Sequence, residues 1–215
     1  MIHTKTRFVN RNQAGRMLAS RLLKYQNKAN TLILALPRGG VPVGFQMANL
    51  LRLPLDILIV RKLGVPGFEE LAFGAIASGD VLMLNHEVVQ SLNISEMTIQ
   101  HIAAKERQEL ERRETIYRGD KPFPSLIDQT IILVDDGLAT GASMRAAIRA
   151  VRQKKPAAIV VAVPVGSLST CDELQEEADE VICALTPLHF ESVGAWYEDF
   201  SQTTDEEVRA LLKPS

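Results

Sequence analysis

Apolar runs of strand length recur along the chain, as TLILAL (31–36), LDILIV (55–60), TIILVD (130–135), AAIVVAVPV (157–165) and EVICAL (180–185), with helical segments between them. Near-continuous apolar runs suit strands buried on both faces. Strands of that kind alternating with helices predict an α/β fold with a parallel sheet, and ligands at the C-terminal strand ends. The 215 residues suffice for one domain, and 46% hydrophobic against 23% charged residues is a globular composition.

The segments between the runs read as follows. NRNQAGRMLASRLLKYQ (10–26) sets Ala14, Met17, Leu18, Leu22 and Leu23 at helical spacing with a basic opposite face. VPVGFQMANLLR (41–52) and SMRAAIRAVRQKK (143–155) are helices, the second with Met144, Ala147, Ile148 and Val151 on one face. RKLGVPGFEEL (61–71) reads as a loop, because its glycines and Pro66 break regular structure. AFGAIASGDVLMLN (72–85) reads as a hairpin of two short strands about Ser78-Gly79-Asp80. Asn93 or Ser95 caps a long charged helix ending near Gly119, whose charges read as a solvated face. CDELQEEAD (171–179) is a short acidic helix, and most late aromatics lie in the 186–215 tail.

A net charge of −2 gives no long-range pull toward nucleic acid or an anionic membrane. The basic residues of the long helix are diluted by Glu106, Glu109, Glu111 and Glu114, so no nucleic-acid partner is expected. The start, MIHTKTRFVN, lacks the apolar core of a secretory signal, and no apolar run is long enough to span a membrane. Cys171 and Cys183 have no paired-ligand spacing and read as reduced thiols. The expected location is cytoplasmic.

The stretch IILVDDGLATGAS (131–143) carries the chemistry. A strand ends in Asp135 and Asp136, then small residues lead into a helix N-terminus, where unpaired N–H groups favour an anion. Two carboxylates beside such a cradle repel a bare phosphate but suit a ligand with hydroxyls or a metal a few ångströms from its phosphate. A ribose 5-phosphate fits. The plainer reading, a strand, a polar turn and a helix with one acid at its terminus, stands beside it.

ILVDDGLATGAS also resembles the phosphoribosyl pyrophosphate (PRPP) binding motif of type I phosphoribosyltransferases, with Gly137 where a bulkier aliphatic is usual. The resemblance runs from about Thr31 to Leu185. It implies a mostly parallel central sheet flanked by helices, as a single 1–215 domain with its core at about 31–185. A small hood would come from about 1–20 and 186–215. By this likeness Asp135, Asp136, Ala139, Thr140, Gly141, Ala142 and Ser143 hold the ribose phosphate. LALPRGG (34–40) matches the pyrophosphate loop, implying that Arg38, Gly39 and Gly40 hold pyrophosphate and that Pro37–Arg38 is a cis peptide. VRKLGVPG (60–67) matches the start of the mobile catalytic loop, so Arg61 and Lys62 would reach pyrophosphate on closure.

The activity implied is displacement of pyrophosphate from PRPP by a nucleobase-like acceptor. Mg²⁺ would be held through the ligand, with Asp135 and Asp136 as candidate protein ligands. Ala139 stands where hypoxanthine-guanine enzymes place an acid, whereas ATG and RKLGVPG resemble adenine enzymes, making Glu69 or Glu70 candidates for handling the acceptor's proton. Phe190, Trp196 and Tyr197 are candidates to stack on the acceptor, or else form the hood's own core, and His189 is undecided. Family members commonly form homodimers. The alternatives are a PRPP-sensing regulator without transferase activity and a phosphatase or other sugar-phosphate enzyme, which leaves PRGG unexplained.

Overall fold

A computed structural model describes residues 7–213, so the first six residues of the expected hood and the last two of the tail lie outside the described residues. The chain runs α1 (Arg11–Ser20), β1 (Thr31–Ala35), α2 (Gly40–Leu51) and β2 (Leu55–Ile57), then forms β3 (Val60–Val65), β4 (Phe68–Ala77) and β5 (Val81–Leu84). Next come α3 (His86–Ser91), α4 (Glu96–Arg118), β6 (Thr130–Val134), α5 (Ala142–Gln153), β7 (Ala158–Val165), α6 (Leu168–Leu174) and β8 (Glu180–Leu185). The tail ends in α7 (Asp205–Leu212).

Every apolar run contributes to one wholly parallel sheet, ordered β2-β1-β6-β7-β8. Successive side chains point to opposite faces, which divides the core in two. Ile33, Ile132, Val134 and Val160 meet Leu18 of α1 and Val43 and Met47 of α2. Leu34, Ile131, Leu133 and Val161 meet Met144, Ala147, Ile148 and Val151 of α5, the face expected from the sequence. The first helix, expected in the hood, thus belongs to the main core through Ala14 and Leu18.

LDILIV is divided between two sheets. After Ile57 the chain turns away because the buried Ser78 takes both backbone groups of Ile59, accepting from Ile59 N at 3.0 Å and donating its own N–H to Ile59 O at 2.9 Å. The 61–71 segment, expected as a loop, is instead the start of the antiparallel sheet β3-β4-β5. Its breakers sit where strands tolerate them: Pro66 and Gly67 form the turn, and Gly64 lies at a register shift. The first strand of the expected 72–85 hairpin is correspondingly longer, beginning at Phe68.

Ser95 caps α4, accepting from Thr98 N at 3.1 Å. The helix is not simply a solvated spacer: Ala103, Leu110 and Tyr117 are buried with Leu63, Phe73 and Ile76 of the hairpin and Val208 of α7. Phe8 pairs with Tyr197, donating to Trp196 O at 2.8 Å and accepting from Glu198 N at 2.8 Å, which ties the amino-terminal segment to the tail. Cys171 and Cys183 are free thiols. No helix among the described residues is long and apolar enough to cross a membrane.

Candidate functional site

β1 and β6 are neighbours, yet β1 is followed by α2 on one face of the sheet and β6 by α5 on the other. That divergence opens a crevice at their C-terminal ends, the usual ligand position in such sheets. The segments 37–40 and 135–143 flank it, linked by Leu36 N donating to Val134 O at 2.8 Å. The Pro37–Arg38 peptide is cis, as the resemblance implies. Among the described residues, neither the Arg38 nor the Gly39 N–H has a hydrogen-bond partner.

The two acids are differently held. Asp135 Oδ1 accepts from Asp136 N at 2.8 Å. Asp136 Oδ2 accepts from Arg11 Nε at 2.9 Å and pairs with Arg11 Nη2 at 2.8 Å. Arg11 also donates Nη1 to Ser201 O at 2.7 Å and lies over the Phe200 ring at 4.0 Å, while Tyr197 OH donates to Asp136 O at 2.7 Å. Burial, and then the charge of Asp136, push the Asp135 carboxyl well above the ordinary range. Burial also raises Asp136, with Arg11 opposing it. Sequence reasoning misses Arg11: nothing in the sequence links the basic face of the first helix to an acid 125 positions later.

Gly141 is the N-cap of α5 and has no side chain to cap that end, where the one side-chain contact to an N–H group among the described residues is long, Ala142 N donating to Thr140 Oγ1 at 3.5 Å. The loop's carbonyls are occupied elsewhere: Ala139 O accepts from Thr170 Oγ1 at 3.0 Å and Thr140 O from Arg145 Nη2 at 3.1 Å. Ala139, Thr140 and Ser143 are exposed, Ala142 half-buried. The first turn of α5 thus presents N–H groups on the same side of the sheet as the acids, a geometry that suits an anion. Two acidic side chains alone do not make a protein metal cage, and no cluster of three metal-binding side chains occurs among the described residues. Hard carboxylate oxygens of this kind suit a Mg²⁺ ion that brings phosphate oxygens and water as its other ligands.

Because 61–71 is strand, alternation separates residues that a loop would have grouped. Lys62 and Glu70 line an open groove of about 810 Å³ shared with Ala142 and Arg145. Arg61 and Glu69 line another of about 590 Å³, with His101 and Glu106 of α4, and Lys62 borders this groove as well. Arg61 Nε donates to Glu106 Oε2 at 2.8 Å, whereas Lys62 has no ion pair among the described residues. Arg38 lies 3.6 Å from Asp205 Oδ1 of α7.

Of the aromatics assigned to the acceptor, Trp196 and Tyr197 are buried, Tyr197 against Phe8 at 5.4 Å and Phe200 at 5.0 Å between ring centroids. They are core side chains with no open face for stacking, which corrects that expectation. Phe190 is half-buried against the same cluster, and His189 is exposed. The tail also explains Gly137: a Cβ there would lie 2.5 Å from Val193 Cγ1 and 3.1 Å from Val165 O. Gly137→Val is expected to cost about 2 kcal/mol through overpacking. Val193→Ala in the same chain should restore most of it, a comparison thermal melts will make.

The profile of the phosphoribosyl transferase domain family matches residues 8–197. Two Mycobacterium tuberculosis proteins, "Putative phosphoribosyl transferase MT0597" of strain CDC 1551 and "Putative phosphoribosyl transferase Rv0571c" of strain H37Rv, are each 43% identical over 205 residues, 95% of this chain. The chain spans 46% of the length of these curated relatives. The crystal structure of TT1426 from Thermus thermophilus superposes with a TM-score of 0.85 at 40% identity, covering 96% of this chain and 97% of that one. With the switch-point crevice, the paired acids and the open α5 terminus found inside the matched span, the chain belongs to the phosphoribosyl transferase domain family and has its type I fold.

Proposed function

We propose that the protein transfers the 5-phosphoribosyl group of PRPP to a nucleobase-like acceptor, releasing pyrophosphate, with residues 1–215 working as one unit. The observation that carries this is the meeting of two half-buried acids, a helix N-terminus whose N-cap is a glycine and two unpartnered N–H groups at one switch point. In this reading the α5 terminus and the Thr140 and Ser143 hydroxyls take the 5-phosphate. Asp135 and the remaining oxygen of Asp136 take the ribose hydroxyls, and the Arg38 and Gly39 N–H groups, with Gly40 shaping the turn, take pyrophosphate. Mg²⁺ would neutralise pyrophosphate charge and hold it against the acids.

In the reaction the anomeric C–O bond breaks, pyrophosphate leaves with the electron pair, and a bond forms to the acceptor nitrogen. The acids face the positive charge that develops on the ribose as fixed negative groups already in place. Glu70 lines the groove that also holds Ala142 of α5, whereas Glu69 lines the groove beside α4, so Glu70 is better placed to approach the reacting groups. Glu70 is thus the better candidate to take the acceptor's proton.

Isothermal titration with PRPP and Mg²⁺, followed by pyrophosphate release over a panel of nucleobases, tests this. Wild-type protein should bind, and Asp135→Asn/Asp136→Asn should weaken binding by about 100-fold, as loss of two charge-assisted hydrogen bonds predicts. Release with one base names the acceptor. Binding without release for any base would favour the PRPP sensor, and no binding at all would sink the reading.

A further inference from the structure

Both arginines assigned to pyrophosphate are already engaged by carboxylates, and both carboxylates come from helices outside the main sheet. Arg61 Nε donates to Glu106 Oε2 of α4 at 2.8 Å, with the two side chains only 28% and 18% exposed. Arg38 Nη1 faces Asp205 Oδ1 of α7 at 3.6 Å. The acids sit on well-anchored supports. Tyr117 OH of α4 donates to Asp205 Oδ1 at 2.6 Å, and Thr204 and Glu207 close a capping box around the start of α7. The end of α4 is tied to the sheet by the buried Arg118, which donates to Asp56 Oδ1 at 3.0 Å and Ile57 O at 2.9 Å. The arginines, by contrast, sit on the loop after β1 and on the hairpin.

Lys62 provides the contrast. It neighbours Arg61 on β3 and lines both the groove beside α4 and the one beside α5, yet it has no ion pair among the described residues. Of the three side-chain cations that the resemblance assigns to pyrophosphate, Arg38 and Arg61 are thus the two with acid partners. We infer that Glu106 and Asp205 stand in for the phosphates of pyrophosphate, holding Arg61 and Arg38 in a ligand-free position from which the ligand must draw them. Glu106 and Asp205 are then positioning residues that act through the arginines and touch no substrate themselves. A ligand carrying several negative charges wins the competition, but its affinity is reduced by the strength of the ion pairs it breaks. Helices α4 and α7 would thereby lower the hold on both PRPP and released pyrophosphate. This inference rests on the transferase reading proposed above, extended to the Arg38 and Arg61 side chains that the resemblance assigns to pyrophosphate.

Titration of inorganic pyrophosphate with Mg²⁺ into the full chain tests it, because the expected effect is a gain. Partly exposed ion pairs are weak, so Glu106→Gln should tighten binding about threefold and Asp205→Asn about twofold, with the double variant near the product. Glu109→Gln is the matched control: it removes the same charge from α4, but its partners are Arg112 and Arg113. That variant should bind like wild type. A folding defect would weaken binding, so tightening is not its signature. Affinities that are unchanged or weaker in Glu106→Gln and Asp205→Asn, or an equal gain in Glu109→Gln, would overturn the latch while leaving the transferase reading intact. Wild-type protein that binds neither Mg²⁺-pyrophosphate nor PRPP would remove the transferase reading and the latch together.

Discussion

Arg11→Ala is expected to lower stability by about 3 kcal/mol, the lower end of the cost of removing one partner from a buried ion pair, because this pair is partly buried. For a chain of this length that is roughly a 10 °C fall in melting temperature. The side chains of Arg11 and Asp136 are 12% and 16% exposed, so water replaces little of the lost interaction. The variant leaves the Asp136 carboxylate next to Asp135 with no counter-charge, and Ser201 O and the Phe200 ring lose their guanidinium partner. Asp136→Asn in the same chain should recover part of the loss, because the stranded charge disappears.

The pH dependence has a definite sign. Burial raises the Asp136 carboxyl in the folded state, and Arg11 opposes that rise. A carboxyl raised on folding binds protons more tightly in the native state than in the unfolded one, so stability falls as pH climbs from the unfolded value to the folded value. Without Arg11 the folded value moves higher and the loss continues further up the pH scale. The gap between wild type and Arg11→Ala should therefore be small in acid and largest at neutral to alkaline pH. Melts at acidic and alkaline pH measure it, and a gap independent of pH would mean that Arg11 acts through packing alone.

The parts of this molecule legible in the sequence are those that local chemistry decides. The apolar runs became the main sheet because nothing but burial on both faces suits them, and the α5 face at Met144, Ala147, Ile148 and Val151 followed from helical spacing. The acids and the small-residue turn after β6 were readable because strand, turn and helix entry are contiguous. The 61–71 segment misled because glycine and proline mark either a loop or a turn and a bulge, and only pairing with β4 distinguishes these. That one difference moved Arg61 and Lys62 to opposite faces, since the period of a strand is two.

Contacts between distant segments left no such trace. Arg11 meets Asp136, Asp205 meets Arg38, and Tyr197 packs on Phe8 only after the termini have folded against the sheet. An aromatic residue in a tail looks the same in sequence whether its ring faces a ligand or a core. Gly137 is the exception, because a small residue where an aliphatic is usual signals that something else fills the space. Val193 does.

Gly39→Ala is expected to reduce affinity for Mg²⁺-pyrophosphate by about 100-fold, the scale at which ångström displacements act in such sites. A Cβ at position 39 would stand 2.0 Å from Asp136 Oδ2 and 2.6 Å from its Cγ, closer than any heavy atoms tolerate without a bond. One side must give way. Asp136 is gripped by two Arg11 nitrogens through that same Oδ2, whereas position 39 itself makes no backbone hydrogen bond among the described residues and its neighbour is held by one, Arg38 O accepting from Val41 N at 3.1 Å. The loop should therefore retreat, taking the Arg38 and Gly39 N–H groups out of register with pyrophosphate. The α5 terminus lies on the other side of the crevice, so ribose 5-phosphate should bind within about threefold of wild type. Asp136→Ala added to Gly39→Ala removes the clash and should restore much of the pyrophosphate affinity, although Asp136→Ala alone is harmful. Titrating both ligands into both variants separates the possibilities. If pyrophosphate binds Gly39→Ala as tightly as wild type, the loop after β1 does not hold that ligand.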